Sequence, residues 1–368
     1  MSTPIPTIDP MGLPLPPVLL QALSYLTLTL HFVAMQFTVG SVLVLLWAMK
    51  REPGVARFFG TGLPLGFSYL VTFGIPPLLF VQVMYGQFFY TSSVLIGAFW
   101  ISVIPLVIVG YGAAYWHRMS RMSRPKYQLI LVAVTALVAL SVGFIYVNNL
   151  TLSMTPARWM SQYQAHPAGA GLNLSEPTIG PRFGFFIVPA LFVAGIVLLL
   201  RAGYLNRRDP AEARASRRIG VRLAFAASGL QVLVAAAFLA QLPRPIAQRL
   251  TTPGVHLYLM LAAALLGLAA LAAAVSSSKR AGMRLAVLAA HFYLLASACI
   301  VILRDLVRQL YLAPYFELSK APIVPQWGVF IGFAVALVAG LLFLVIITKQ
   351  MVAGLVSADP PPAESSPL

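Results

Sequence analysis

Residues 17–48 read PVLLQALSYLTLTLHFVAMQFTVGSVLVLLWA, with no lysine, arginine, aspartate or glutamate. A helix needs roughly 20 apolar residues to cross about 30 Å of hydrocarbon, so this run is long enough to span a bilayer. Working outward, comparable runs recur near 63–84, 93–116, 127–150, 183–205, 221–242, 254–275, 283–303 and 326–348. The chain therefore reads as an all-α polytopic membrane protein with about nine transmembrane helices. Composition agrees: 60% of the 368 residues are hydrophobic and 9% are charged, with mean hydropathy +0.87, against roughly 25% charged residues in soluble domains. The stretch before Pro17 has no basic residue, so the first run lacks a signal peptide's charged start and is expected to be retained.

The net charge of +16 has a simpler source than nucleic-acid binding. Sorted by loop, 18 of the 25 lysines and arginines fall in one alternating set: Lys50, Arg51 and Arg57; Arg118, Arg121, Arg124 and Lys126; seven arginines from Arg201 to Arg222; Lys279, Arg280 and Arg284; and Lys349. Only seven fall in the other: Arg158, Arg182, Arg244, Arg249, Arg304, Arg308 and Lys320. The rule that basic loops stay inside then predicts an outside N-terminus and an inside C-terminus, in a multi-pass bacterial-type cytoplasmic membrane. The expected organisation is a four-helix bundle carrying His31 over 1–150, an external loop over 151–182, a five-helix membrane region over 183–348, and a disordered cytoplasmic tail over 349–368. Within the second span, Gly74-Ile75-Pro76-Pro77 predicts a kink. Ser276 to Arg280 predicts a basic turn between the seventh and eighth spans.

Polar groups inside apolar runs carry the functional information. His31 falls near the middle of the first span, where imidazole must be hydrogen-bonded, paired with a carboxylate, or bound to metal. Gly40, further along, would let a neighbour approach closely. His291 lies in the eighth span and reads as a packed histidine. His256 and Met260, four apart, share a helix face; both residue types can ligate haem, though one helix cannot supply both sides of one iron. His117 and His166 read as exposed loop residues. Asp305 is the acid closest to a span, and Arg308 follows at i+3, so the pair either closes a local salt bridge or faces a buried cofactor. Cys299 is the single cysteine, which excludes a disulfide framework or a thiolate cluster. No nucleotide-binding or metalloprotease motif occurs, nor an internal repeat of clear period.

Several stretches, in order, resemble subunit I of the cytochrome bd family of quinol oxidases. They are Tyr25 to Gly40 around His31; Gly74 to Ser93 with Met84-Tyr85-Gly86-Gln87-Phe88-Phe89; Tyr146-Val147-Asn148-Asn149; Pro181-Arg182-Phe183; Met260; and Asp305-Leu306-Val307-Arg308-Gln309. The resemblance implies nine spans with the N-terminus outside. It gives His31 the place of the haem d ligand, Met260 that of the methionine on the low-spin haem b, and Asp305 with Arg308 that of the acid segment serving the high-spin haem b.

Three departures qualify the implied activity. The position of the family's second low-spin ligand is Phe185, which cannot bind iron. The third span has no acid to deliver protons to oxygen. The loop at 243–254 is short where the oxidases use a long one to bind quinol. The expectation is a bd-like electron-transfer subunit with at most one or two haems. It would run between the quinone pool and an outer-side partner, a c-type cytochrome or a second membrane subunit, without quinol-driven oxygen reduction. The alternatives are a haem-free membrane anchor or assembly scaffold, a divergent terminal oxidase subunit, and a transporter.

Overall fold

The computed structural model describes residues 5–6, 12–120, 124–280 and 283–357. Eleven α-helices follow in order: α1 Pro17–Ala48, α2 Pro53–Leu95, α3 Gly97–Met119, α4 Pro125–Ser153, α5 Trp159–Ala165, α6 Ile179–Leu205, α7 Pro210–Gln241, α8 Arg244–Thr251, α9 Val255–Arg280, α10 Met283–Leu312 and α11 Trp327–Ser357. All but α5 and α8 are long and apolar enough to cross a membrane, giving nine candidate spans among the described residues. Helices are the expected solution, because in hydrocarbon every backbone N–H and C=O must be satisfied within the segment. Pro17, Pro53, Pro125 and Pro210 open four of them, where the missing proline N–H costs nothing.

Small residues set the closest crossings. A Cβ on Gly40 would stand 2.1 Å from the Ala190 carbonyl oxygen, so α1 and α6 touch backbone to backbone. Gly195 and Gly220 do the same for α6 and α7: a Cβ on either would come within 2.7–2.8 Å of the other's carbonyl. Ala270, Ala274, Ala286 and Ala289 line a further buried seam. Such packing is how membrane helices gain dispersion energy when lipid is as apolar as leucine. Larger side chains fill the two ends. Tyr85, Phe88, Phe89 and Trp159 lie at the end where α1 begins, and Val42, Leu45, Phe59 and Leu198 lie where it finishes.

The structure corrects three local expectations. The helix α2 continues through Pro64, Pro76 and Pro77, and its backbone departs from helical geometry at Tyr85 instead (φ −136°, ψ 31°). Proline's fixed φ suits a helix, and the break falls where the Tyr85 ring turns inward. The segment Ser276 to Arg280 is the last turn of α9 rather than a loop. His117 sits within α3, half-buried against Gly60 of α2, and not in an exposed loop. His166 is exposed just after α5. The expected tail overlaps α11 as far as Ser357, and 358–368 lie outside the described residues. Leu13 pairs with the 322–324 backbone just before α11 (Leu13 N to Pro322 O 2.7 Å, Val324 N to Leu13 O 2.9 Å), tying the first segment to the last span.

Candidate functional site

Asp305 projects from α10 into the junction of α1, α2 and α10, and is 5% exposed. Its Oδ2 accepts from Gln21 Nε2 at 3.1 Å, Tyr25 Oη at 2.9 Å and Gln309 Nε2 at 3.0 Å. Its Oδ1 accepts from Arg308 at 3.0 Å and, more weakly, Tyr85 Oη at 3.4 Å. A carboxylate has about four lone-pair sites, so five donors saturate it. Arg308, 6% exposed, forms the ion pair and lies over the Tyr85 ring at 4.9 Å. The local salt bridge allowed by the i, i+3 spacing is therefore present, inside a network that binds three helices together.

His31 is different. It lies six residues beyond Tyr25, about 9 Å deeper along α1 by helical rise. Its ring rests against Gly74 of α2, where a Cβ would meet Cε1 at 3.1 Å, so a larger residue would press on the imidazole. The Leu70 carbonyl approaches the ring, but Nδ1 is buried without a hydrogen-bond partner among the described residues. Buried polar atoms without partners are uncommon and call for an explanation.

Between these two sites stands an excess of positive charge. Arg304 lies over Phe32, the residue after His31, at 6.0 Å, and no carboxylate pairs with it among the described residues. Arg182 of α6 donates from Nε to Thr178 Oγ1 at 3.0 Å. Its guanidinium packs on Phe238 and Tyr311 at 5.1 and 5.7 Å, and one terminal nitrogen is buried without a partner. Arg182, Arg304 and Arg308 lie close enough to repel one another. With Asp305 taken up by its donors and Glu176 by Thr178 and Arg158, these three guanidiniums can hold an anionic group, such as a carboxylate or phosphate, by charge-assisted hydrogen bonds.

The remaining sequence candidates fall elsewhere. Met260 and His256 are half-buried on α9. His291 is exposed on α10, its Nδ1 spent on its own helix at Val287 O, 2.8 Å. Phe185 packs edge-on against Phe238 at 5.6 Å, beneath Arg182, so the place the resemblance gives to a second haem ligand is filled by aromatic packing. The short 243–254 connection carries α8, whose Ile246 and Leu250 seat against Val307. Sequence reading missed Gln21, Tyr25 and Tyr85 as donors, and missed Gln36 in mid-span, which accepts from Tyr293 Oη at 2.6 Å. It also missed the Ser92, Ser93 and Asn149 network that joins α2 to α4 (3.1 and 2.9 Å). Polar residues in apolar runs were the available signal for all of them.

No family model and no curated protein matches this chain. Among solved structures it is similar to the bd oxidase from Geobacillus thermodenitrificans, with a TM-score of 0.72 at 15% identity, covering 94% of this chain and 99% of that one. The likeness extends over nearly the whole length of both chains, and at this identity it establishes a shared fold.

Proposed function

We propose that this chain is a membrane-embedded electron-transfer subunit of a respiratory complex, built on the bd-oxidase fold and holding haem at His31. The observation that carries the reading is the unpartnered Nδ1 of His31, buried in mid-span against a glycine. An imidazole nitrogen left in this state is free to serve a metal, with the Leu70 carbonyl beside the ring to orient it. Haem, when bound, would supply a one-electron couple whose potential His31 and the surrounding charge would tune.

The chain's own residues do the rest. His31 would hold the haem iron, and Gly74 leaves the space in which its ring stands. Arg304 and Arg182, one without an ion pair and one with a free nitrogen, are suited to the carboxylates of a porphyrin. Asp305 is occupied by its five donors, so it acts as a positioning residue. It holds Arg308, α1 and α2 in register and is not itself a ligand. Met260 would be joined by no second iron-binding side chain at Phe185, which packs on Phe238, so one haem is the economical number. Electrons would pass between membrane quinone and a partner at the Asp305 end, a c-type cytochrome or a second membrane subunit. Oxygen reduction by quinol is left out of this reading, because α3 carries no acid.

Absorption spectra of the purified protein, oxidised and reduced, test it. A Soret band is expected, and His31→Ala should abolish it while the protein remains inserted and folded. An unchanged spectrum in that variant would return His31 to a structural role. A wild-type protein without the band would favour the haem-free scaffold, a reading that the self-sufficient Asp305 network supports. Quinol-dependent oxygen uptake that is lost with His31 would restore the terminal-oxidase alternative.

A further inference from the structure

The opposite end of the bundle carries a cleft that the electron-transfer reading does not use. Arg214, Arg218 and Arg222 follow one another at four-residue intervals, so they share one face of α7, and all three are exposed. Two adjoining cavities meet at Arg218. The larger, about 550 Å³, runs between α1, α6 and α7 with Leu43, Val44, Leu191 and Leu223 as apolar walls and Arg218 and Arg222 at its rim. The smaller, about 240 Å³, is lined by Arg214, Arg217, Arg218 and Ser278. The larger lies within the roughly 300–1,000 Å³ range of small-molecule sites.

Charge at this cleft is poorly compensated. Arg218 pairs with Glu52 at 2.5 Å, and Arg217 donates to Asn206 Oδ1 at 2.9 Å. Arg214 and Arg222 have no hydrogen bond or ion pair among the described residues. Trp47, also on the larger cavity's wall, carries Arg51 over its ring at 5.6 Å. Glu52 is the acid that faces the cleft, and it is spent on Arg218. The result is a greasy slot leading up to a cluster of guanidiniums on the N-terminal half of α7.

We propose that this cleft binds one anionic phospholipid from the leaflet at the basic end, its phosphate on Arg214, Arg217, Arg218 and Arg222 and one acyl chain along the α1–α6–α7 slot. A row of arginines that only marks the inner end of the spans would point separately into water. These arginines line two adjoining concavities that share Arg218, and the larger continues into an apolar slot, which an acyl phosphate fits and a soluble anion does not fill.

Native mass spectrometry of the full-length protein, released in mild detergent with phosphatidylglycerol or phosphatidylcholine added, tests the assignment. One phosphatidylglycerol per chain should be retained at least about tenfold better than phosphatidylcholine. Each Arg→Gln change at 214, 218 or 222 should weaken retention about fivefold, and the triple change roughly a hundredfold, at about one surface charge's worth each. The triple Arg→Lys variant keeps the charge and should keep most of the binding. Ala226→Trp, on the slot wall, leaves the arginines intact and should still expel the lipid, so the test does not depend on the charge variants folding. Equal retention of the zwitterionic lipid, displacement by excess inorganic phosphate, quinone in place of phospholipid, or unaltered binding in Ala226→Trp would each overturn the proposal. The spectra that test haem are independent of all these readouts.

Discussion

The Asp305 network and the α7 arginines, at opposite ends of the bundle, handle charge in opposite ways. At the Asp305 end one buried carboxylate is surrounded by five donors from α1, α2 and α10, and every helix it touches is fixed by it. At the basic end, guanidiniums outnumber carboxylates. Glu212 joins Arg201 and Glu52 joins Arg218, while Arg214 and Arg222 stand open on the α7 face. A saturated polar group inside lipid holds a fold together. A group without partners at a cavity awaits something from outside the chain.

The comparison is easiest to break at Asp305. Asp305→Ala strands Arg308 in a buried site without its counter-charge, and breaking a buried pair in this way costs about 3–5 kcal/mol. Thermal unfolding in detergent should show a large fall in midpoint, with Asp305→Asn intermediate because an amide oxygen still accepts some of the donors. A loss no greater than that of a surface variant would mean the network does not hold the helices.

A smaller effect is expected where the basic end is held by backbone packing. Gly220→Val would force its side chain into the Gly195 carbonyl, already 2.8 Å from an ideal Cβ, and overpacking of this kind costs about 1–3 kcal/mol. The α6–α7 crossing should loosen, read as a lower unfolding midpoint and faster proteolysis of the segment 206–209 that joins the two helices. Smaller again is Glu212→Gln. Arg201 is largely buried but Glu212 is partly exposed, and Arg201 keeps Ser216 Oγ (2.6 Å) and the Gly54 carbonyl (3.3 Å). About 1 kcal/mol is expected, and less in high salt because the exposed partner is screened.

Much of this contrast is legible in the sequence. Apolar runs located all nine spans, since hydrocarbon imposes a strict length and polarity rule, and the division of basic residues separated the two ends. The Asp305–Arg308 pair was visible from its spacing. The partners of Asp305 were not, because Gln21, Tyr25 and Tyr85 lie 220 to 284 residues away in sequence, and helix periodicity says nothing about which faces meet. The break at Tyr85 was missed for a related reason. Proline announces itself in a sequence, whereas a tyrosine drawn inward by a distant carboxylate and arginine does not. Nothing in the sequence marks Gly74 and Gly60 as the places where His31 and His117 rest. The α7 arginines were read as a topology signal, which uses their number and ignores that they line a cavity.

The smallest expected effect on stability is also the one that separates the two ends most sharply. Arg222 and Arg308 are the same residue type on long apolar helices. Arg308 is 6% exposed, paired with Asp305 and laid on Tyr85, so Arg308→Gln should fall in the same class as Asp305→Ala. Arg222 is exposed, bonds to no described residue and faces a cavity. Removing a side chain that holds nothing in the folded state leaves no stranded partner, and such surface changes stay within about 0.5 kcal/mol. Arg222→Gln should therefore leave the unfolding midpoint where it is in lipid-free detergent. With anionic lipid present, the wild type should gain stability by mass action and the variant should gain less. The informative quantity is the difference between those two midpoint shifts. If Arg222→Gln destabilises the lipid-free protein by as much as Arg308→Gln does, the arginines at both ends are structural and the contrast between them disappears.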